Sequence, residues 1–162
     1  MALLVGDKTY TRYEVAPQQH SQKLLPMVDE VLAEAGLKLT DLDGLAYAQG
    51  PGSFTGVRIG VSITQGLAVA AELPVVGVSN LAVMAQEVIS KNKLVDAESV
   101  LVAIDARMSE VYWGHYQVVN GLAELVDKEI VVAPDLTPKL SVSKGYSAGT
   151  GWQTYESELD LN

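Results

Sequence analysis

Two rhythms of apolar and polar positions run along the chain, and the changes between them mark out its elements. Ala2 to Val5 is an apolar run, Gly6-Asp7 supplies turn chemistry, and Thr9 to Val15 is rich in aromatic and β-branched residues, which together predict a hairpin. From Ser21 to Gly36 the spacing becomes helical. Leu24, Leu25, Val28, Leu32 and Ala35 recur three or four residues apart, and Gly36 suits the left-handed position that closes a helix. Pro26 sits near the predicted start, where a missing N–H costs least, and an earlier start would make it a kink.

Leu45 to Ala48 predicts a short strand, the turn Gly50-Pro51-Gly52 follows, and a helix runs from about Phe54 to Glu72 with Pro74 as its stop. Val75 to Val78 is a buried strand and Leu81 to Ser90 a third helix. The second half begins with strands instead: Val100 to Asp105, Glu110 to Val119, then Asn120-Gly121, the dipeptide of a two-residue hairpin, and Leu122 to Val132. Tyr146 to Ala148 is one more strand ahead of Gly149-Thr150-Gly151-Trp152. If the two halves are duplicates, the first lacks an opening strand and the second lacks closing helices. The order predicts an α/β protein of two lobes, residues 1–95 and 96–162.

Composition narrows the chemistry. Of 162 residues, 48% are hydrophobic and 19% charged, which excludes a disordered chain. The net charge of −9 repels phosphate backbones, so nucleic acid is a poor sole ligand. With no cysteine, disulfides, thiolate metal sites and cysteine nucleophiles are excluded. His20 and His115 have no second histidine at helical spacing and no supporting acidic cluster, so no metal is expected. Between Gly44 and Gln86 only Arg58 and Glu72 are charged, yet Gly and Pro interrupt the apolar runs before they reach the length of a bilayer crossing. No basic-then-apolar leader is visible, and the cytoplasm is the expected compartment.

The densest stretch is Gln49-Gly50-Pro51-Gly52-Ser53-Phe54-Thr55-Gly56-Val57-Arg58-Ile59-Gly60. A Gly-rich turn entering a helix can offer N–H groups to an anion, with Ser53 or Thr55 as cap, but neither the P-loop nor the dinucleotide fingerprint fits, and a purely structural turn is the alternative. Gly56, Gly60, Thr64 and Ala68 fall at successive i, i+4 positions and flatten one stripe of the second helix, for packing within the lobe or for a subunit interface. Beside it lie Leu24, Leu25, Val28 and Leu32 of the first helix, and these eight residues are the expected interface. Asp105 and Arg107, with Gly149 and Gly151, are the candidate phosphate or nucleotide contacts; an ion-paired turn between strands is the alternative for the first two.

The Gln49 to Gly60 stretch resembles the fingerprint of the TsaB family, also called YeaZ. So do His20 to Met27, Gly77-Val78-Ser79, Asp105-Ala106-Arg107-Met108-Ser109-Glu110-Val111-Tyr112 and Gly149 to Trp152, so that the likeness covers most of the chain. The resemblance implies the actin, sugar-kinase and Hsp70 type of fold, built of ribonuclease-H-like lobes. It also implies a role in threonylcarbamoylation of the adenosine beside the tRNA anticodon, as the non-catalytic partner of TsaD, with TsaE and TsaC alongside. Members of the family open with a strand bearing an Asp-Thr motif and continue beyond Trp152, so the first lobe is expected to lack its first strand and the second to be incomplete. Ser79-Asn80-Leu81 stands where TsaD carries a histidine pair for its metal, and only His20 corresponds to that ligand region. The partners expected from the likeness are a TsaD-like catalytic subunit, a TsaE-like ATPase and, when alone, a second copy; tRNA is met only indirectly and no membrane is involved. No cofactor is expected to bind tightly, with at most a weak or shared ATP or ADP at the partner interface. The competing readings are a metal-dependent hydrolase of the glycoprotease type and a nucleotide-dependent phosphotransferase.

Overall fold

The structure, a computed structural model, describes residues 1–15, 19–139 and 145–159, and of His20 only the backbone. Contacts divide the chain into two compact units, Met1–Val78 and Ser79–Asn162.

In the first unit β1 (Ala2–Val5) and β2 (Lys8–Thr11) form an antiparallel ribbon with Leu3 opposite Tyr10. The ribbon's second strand is shorter than its apolar pattern, which ran to Val15. Helix α1 (His20–Ala35) starts one residue earlier than predicted and places Pro26 inside it, where the ring removes a helical hydrogen bond. Gly36 closes α1 in the left-handed conformation, φ 70°, with its N–H on the Ala33 carbonyl and the Leu37 N–H on that of Leu32. The apolar face of α1 buries Val31 and Leu32 with Leu3, flanked by Tyr10 and Val28. Next come β3 (Leu45–Gly50), α2 (Phe54–Ala71) and β4 (Val75–Ser79), with β3 hydrogen-bonded to β4 as a separate two-stranded sheet.

The second unit is one continuous sheet. Its order is β7 (Leu122–Leu125), β6 (Glu110–Val119), β5 (Ser99–Arg107) and β9 (Gly145–Ala148), with β8 (Ile130–Val132) also on β6. β5 runs antiparallel to β6 and parallel to β9. It is apolar on both faces because both faces are covered. Val100 and Val102 meet Leu81, Ala85 and Ile89 of α3 (Asn80–Asn92), while Leu101 and Ala103 meet Val111, Trp113 and Leu159 on the other side. Helix α4 (Gly151–Thr154) follows β9.

Two boundaries differ from the sequence reading. The division falls at 78/79, not 95/96, since the apolar stripe of α3 packs on β5 and β6. The strand expected from Leu122 to Val132 is two: β7 pairs with Tyr116 to Val119, β8 with Val111 to Trp113. Between them, residues 126–129 bulge opposite Gly114 and His115, and Glu129 accepts a hydrogen bond from the Tyr116 hydroxyl.

Candidate functional site

Helix α2 carries the densest sequence signal, and its surface is the unusual part of the first unit. The Ser53 hydroxyl caps it, accepting from the Gly56 N–H at 3.3 Å, so Ser53 and not Thr55 fills the expected role. Gly50 ahead of it is left-handed at φ +96°, and the Gly50–Pro51 peptide is cis. Within α2 only Ala68 is buried, although Arg58 is the sole charged residue of the helix. Phe54 is 70% and Val69 80% exposed. The Arg58 guanidinium lies 3.7 Å over the Phe54 ring, joining a cation to an apolar plate on the outer surface. A shallow groove beside that plate is lined by Leu25 of α1 and by Phe54, Thr55, Arg58, Ile59 and Ile63 of α2. By length and composition alone, the 18 residues of α2 are also long and apolar enough to cross a membrane.

The eight expected interface residues separate. Leu32 is buried in the unit's own core, and Val28 is partly buried beside it. Leu24 is partly buried and Leu25 exposed on the groove. Gly56, Gly60 and Thr64 are partly buried, Ala68 fully. Among the described residues, a Cβ built on Gly60 meets nothing within 4 Å, so that part of the stripe has room for a side chain.

In the second unit the structure brings Asp105, Arg107, Gly149 and Gly151 to one end of β5. The Asp105 carboxylate accepts from the Arg107 N–H at 2.8 Å, and the Asp105 N–H donates to the Thr150 hydroxyl at 3.2 Å. Asp105 thus holds backbone in place, in the turn for which the sequence offers a phosphate or nucleotide contact with an ion-paired turn as the alternative. Tyr155 faces the same carboxylate; partial desolvation and then the negative charge of Asp105 raise its phenol above the usual range. Gly149, at φ +103°, would carry a Cβ 2.1 Å from the Ala103 carbonyl oxygen, and Gly151 one 2.9 Å from the same oxygen. Close approach to β5 therefore accounts for both glycines. Trp152 adds a hydrogen bond from Nε1 to the Leu101 carbonyl at 3.2 Å and stacks obliquely on Trp113, 5.8 Å between rings.

Sequence reasoning did not find the polar chain at the centre of the second unit. The buried Tyr116 ring lies over Gly114, and its hydroxyl bonds Glu129; Ser79, the cap of α3, interacts with the same hydroxyl. Burial and the Glu129 carboxylate push the Tyr116 phenol well up. His115 Nε2 lies 3.1 Å from the buried Ser99 hydroxyl, and desolvation lowers the imidazole below its ordinary value. The side chain of His20 lies outside the described residues. Among the described residues, no group of three or more His, Asp or Glu side chains is gathered as metal ligands would be.

The two units, with helices on mixed strands, define an α/β protein of the class that includes actin, sugar kinases and Hsp70. A family model, TsaD: tRNA N6-adenosine threonylcarbamoyltransferase, matches residues 7–149. The protein named tRNA threonylcarbamoyladenosine biosynthesis protein TsaB of Escherichia coli (strain K12) is 48% identical over 147 residues, 88% of this chain and 62% of that one. Its namesake in Haemophilus influenzae is 40% identical over 168 residues, 97% of this chain and 69% of that one. The solved structure of YeaZ from Pseudomonas aeruginosa superposes with a TM-score of 0.89 at 43% identity, over 99% of this chain and 74% of that chain. The chain belongs to the TsaB family, also called YeaZ. It spans less than two thirds of the length of the E. coli relative.

Proposed function

We propose that this chain serves tRNA threonylcarbamoyladenosine biosynthesis as a non-catalytic subunit that binds and activates a TsaD-type catalytic partner through the α1–α2 face. The observation that carries the reading is the exposure of α2, an 18-residue helix with one charge and one buried side chain. A soluble surface rarely leaves so much apolar helix uncovered unless another macromolecule covers it. The groove beside Leu25 and Phe54 and the open space above Gly60 suit a helix laid alongside, as small residues permit close approach of a second backbone. The names of the relatives supply the pathway, and the acidic net charge of −9 favours a tRNA contact made mainly by the partner. In this reading the same face pairs two copies when no partner is present, a TsaE-type ATPase joins the assembly, and any nucleotide is shared at the partner interface. The cytoplasm is the compartment it implies.

The test is association of the protein with a TsaD-type subunit by mass-resolved size exclusion, wild type against Gly60→Leu. Overpacking a close helix contact should cost about 1–3 kcal/mol of association, some five- to two-hundredfold in Kd. Folding should be spared, because among the described residues nothing stands within 4 Å of the Gly60 Cβ position. Equal complex formation by the two proteins defeats the interface. Flotation of the wild type with lipid vesicles would instead assign α2 to a membrane surface.

A further inference from the structure

The β5–β6 hairpin turns through Arg107, Met108 and Ser109, left-handed at φ 64°, 53° and 59°. Residues other than glycine seldom adopt that conformation, and a two-residue hairpin turn usually takes Asn-Gly, as Asn120-Gly121 does in the next connection. The local backbone is held from below. The register shift between Asp105 and Arg107 is fixed by the Asp105 carboxylate on the Arg107 N–H, and the Asp105 N–H is tied in turn to Thr150. The result is an apex that lifts Met108 clear of the sheet, 94% exposed.

The other methionines are less open. Met1 is 43% exposed, Met27 is partly buried on α1, and Met84 is partly buried where α3 packs on the second unit's core. Thioether oxidation requires the oxidant to reach sulfur, so exposure ranks the four. We propose that Met108 is a peroxide-reactive modification site, presented by the pinned left-handed apex. In the step, a sulfur lone pair attacks one oxygen of hydrogen peroxide and the O–O bond breaks. The S–O bond of the sulfoxide forms and water leaves, so sulfur loses two electrons and the peroxide gains them. The new oxygen is solvated at the apex, so the fold is retained while an apolar, polarisable tip becomes polar. The same exposure admits a methionine sulfoxide reductase, which makes the change reversible.

The experiment treats the whole chain with dilute hydrogen peroxide and follows the gain of one oxygen at each methionine by peptide-mapping mass spectrometry. Met108 should oxidise about tenfold faster than Met84, and faster than Met27 and Met1. Its sulfoxide should be reduced by a pair of reductases covering both sulfur epimers, with circular dichroism and thermal midpoint unchanged. Met108→Leu should abolish the fast phase and leave the remaining methionines at wild-type rates. The proposal fails if any other methionine reacts as fast as Met108, if the fast phase survives in Met108→Leu, or if the reductases leave the Met108 adduct in place.

Discussion

The two units use similar elements and reach different degrees of burial. In the second, Ser99 to Ala103 of β5 are buried without interruption, with strands on both sides and side chains packed on both faces. In the first, among the described residues, β1 pairs with β2 and β3 with β4 as two separate two-stranded sheets, so no strand there is flanked on both sides as β5 is. Its buried apolar side chains are Leu3, Val31, Leu32 and Ala68, while Leu4, Val75 and Val76 on its strands stay exposed. Hydrophobic burial scales with area removed from water, at roughly 25 cal/mol per Å², so the second unit holds most of the fold's stabilisation. The first leaves more of its apolar surface exposed. The unit with the weaker core is the one that carries the proposed interface.

The largest effect should come from a matched pair of truncations. Leu101→Ala removes a side chain with no exposure from the sheet's centre and should cost about 2–5 kcal/mol. Val76→Ala, at a position 57% exposed, should stay within about 0.5 kcal/mol. Urea denaturation of both variants measures the difference. Equal losses would mean that the first unit is as tightly closed as the second, and would break the comparison.

The sequence made much of this visible, and local chemistry explains which parts. Gly36 ends α1, Ser53 caps α2, and Asn120-Gly121 joins β6 to β7, because each depends on residues adjacent in sequence. What escaped depends on distant neighbours. The stripe Leu81, Ala85 and Ile89 announces an amphipathic helix but does not name the sheet it will cover, and so the boundary was misplaced. The charged run Asp127-Lys128-Glu129 did carry a signal against one uninterrupted strand. Gly149 and Gly151, the candidate phosphate contacts, also stand over the Ala103 carbonyl, a steric reason for glycine that no local spacing reveals. The left-handed apex at Met108 has no glycine to betray it.

A smaller effect concerns the polar groups inside the well-packed unit. Tyr116→Phe leaves the Glu129 carboxylate without its phenol donor and should cost about 1–3 kcal/mol. Its pH dependence has a definite sign. A phenol raised in the folded state binds its proton more tightly there than in the unfolded chain. Its stabilisation is complete below the unfolded value near 10, and is lost as pH rises above it. His115 acts at the other end: its imidazole is lowered by burial, so the folded state binds the proton less well. Stability is full above about 6.5 and falls as acidification carries the protein through the lowered folded value. Thermal midpoints across pH should therefore drop at both extremes. Tyr116→Phe should flatten the alkaline limb, and His115→Gln the acid limb. Unchanged limbs in both variants would remove these groups from the account.

The smallest effect is the most direct contrast between the units, since one chemical change is expected to act with opposite signs. Gly60→Ala puts a methyl into the interior of α2, where a Cβ meets nothing within 4 Å and alanine favours the helix. The gain should be about 0.5–1 kcal/mol, chiefly through the unfolded chain's lost freedom. Gly114→Ala puts the same methyl into β6, 2.8 Å from the Tyr116 ring, and that ring is buried between α3 and the sheet. It cannot swing aside without disturbing the hydroxyl on Glu129, so the strand's own preference for a side chain is outweighed and the variant should lose stability. Denaturant midpoints at constant m-value read both changes. A stabilised Gly114→Ala would show that the second unit has slack its buried surfaces do not reveal, and a destabilised Gly60→Ala would show that the stripe on α2 is already covered within the chain.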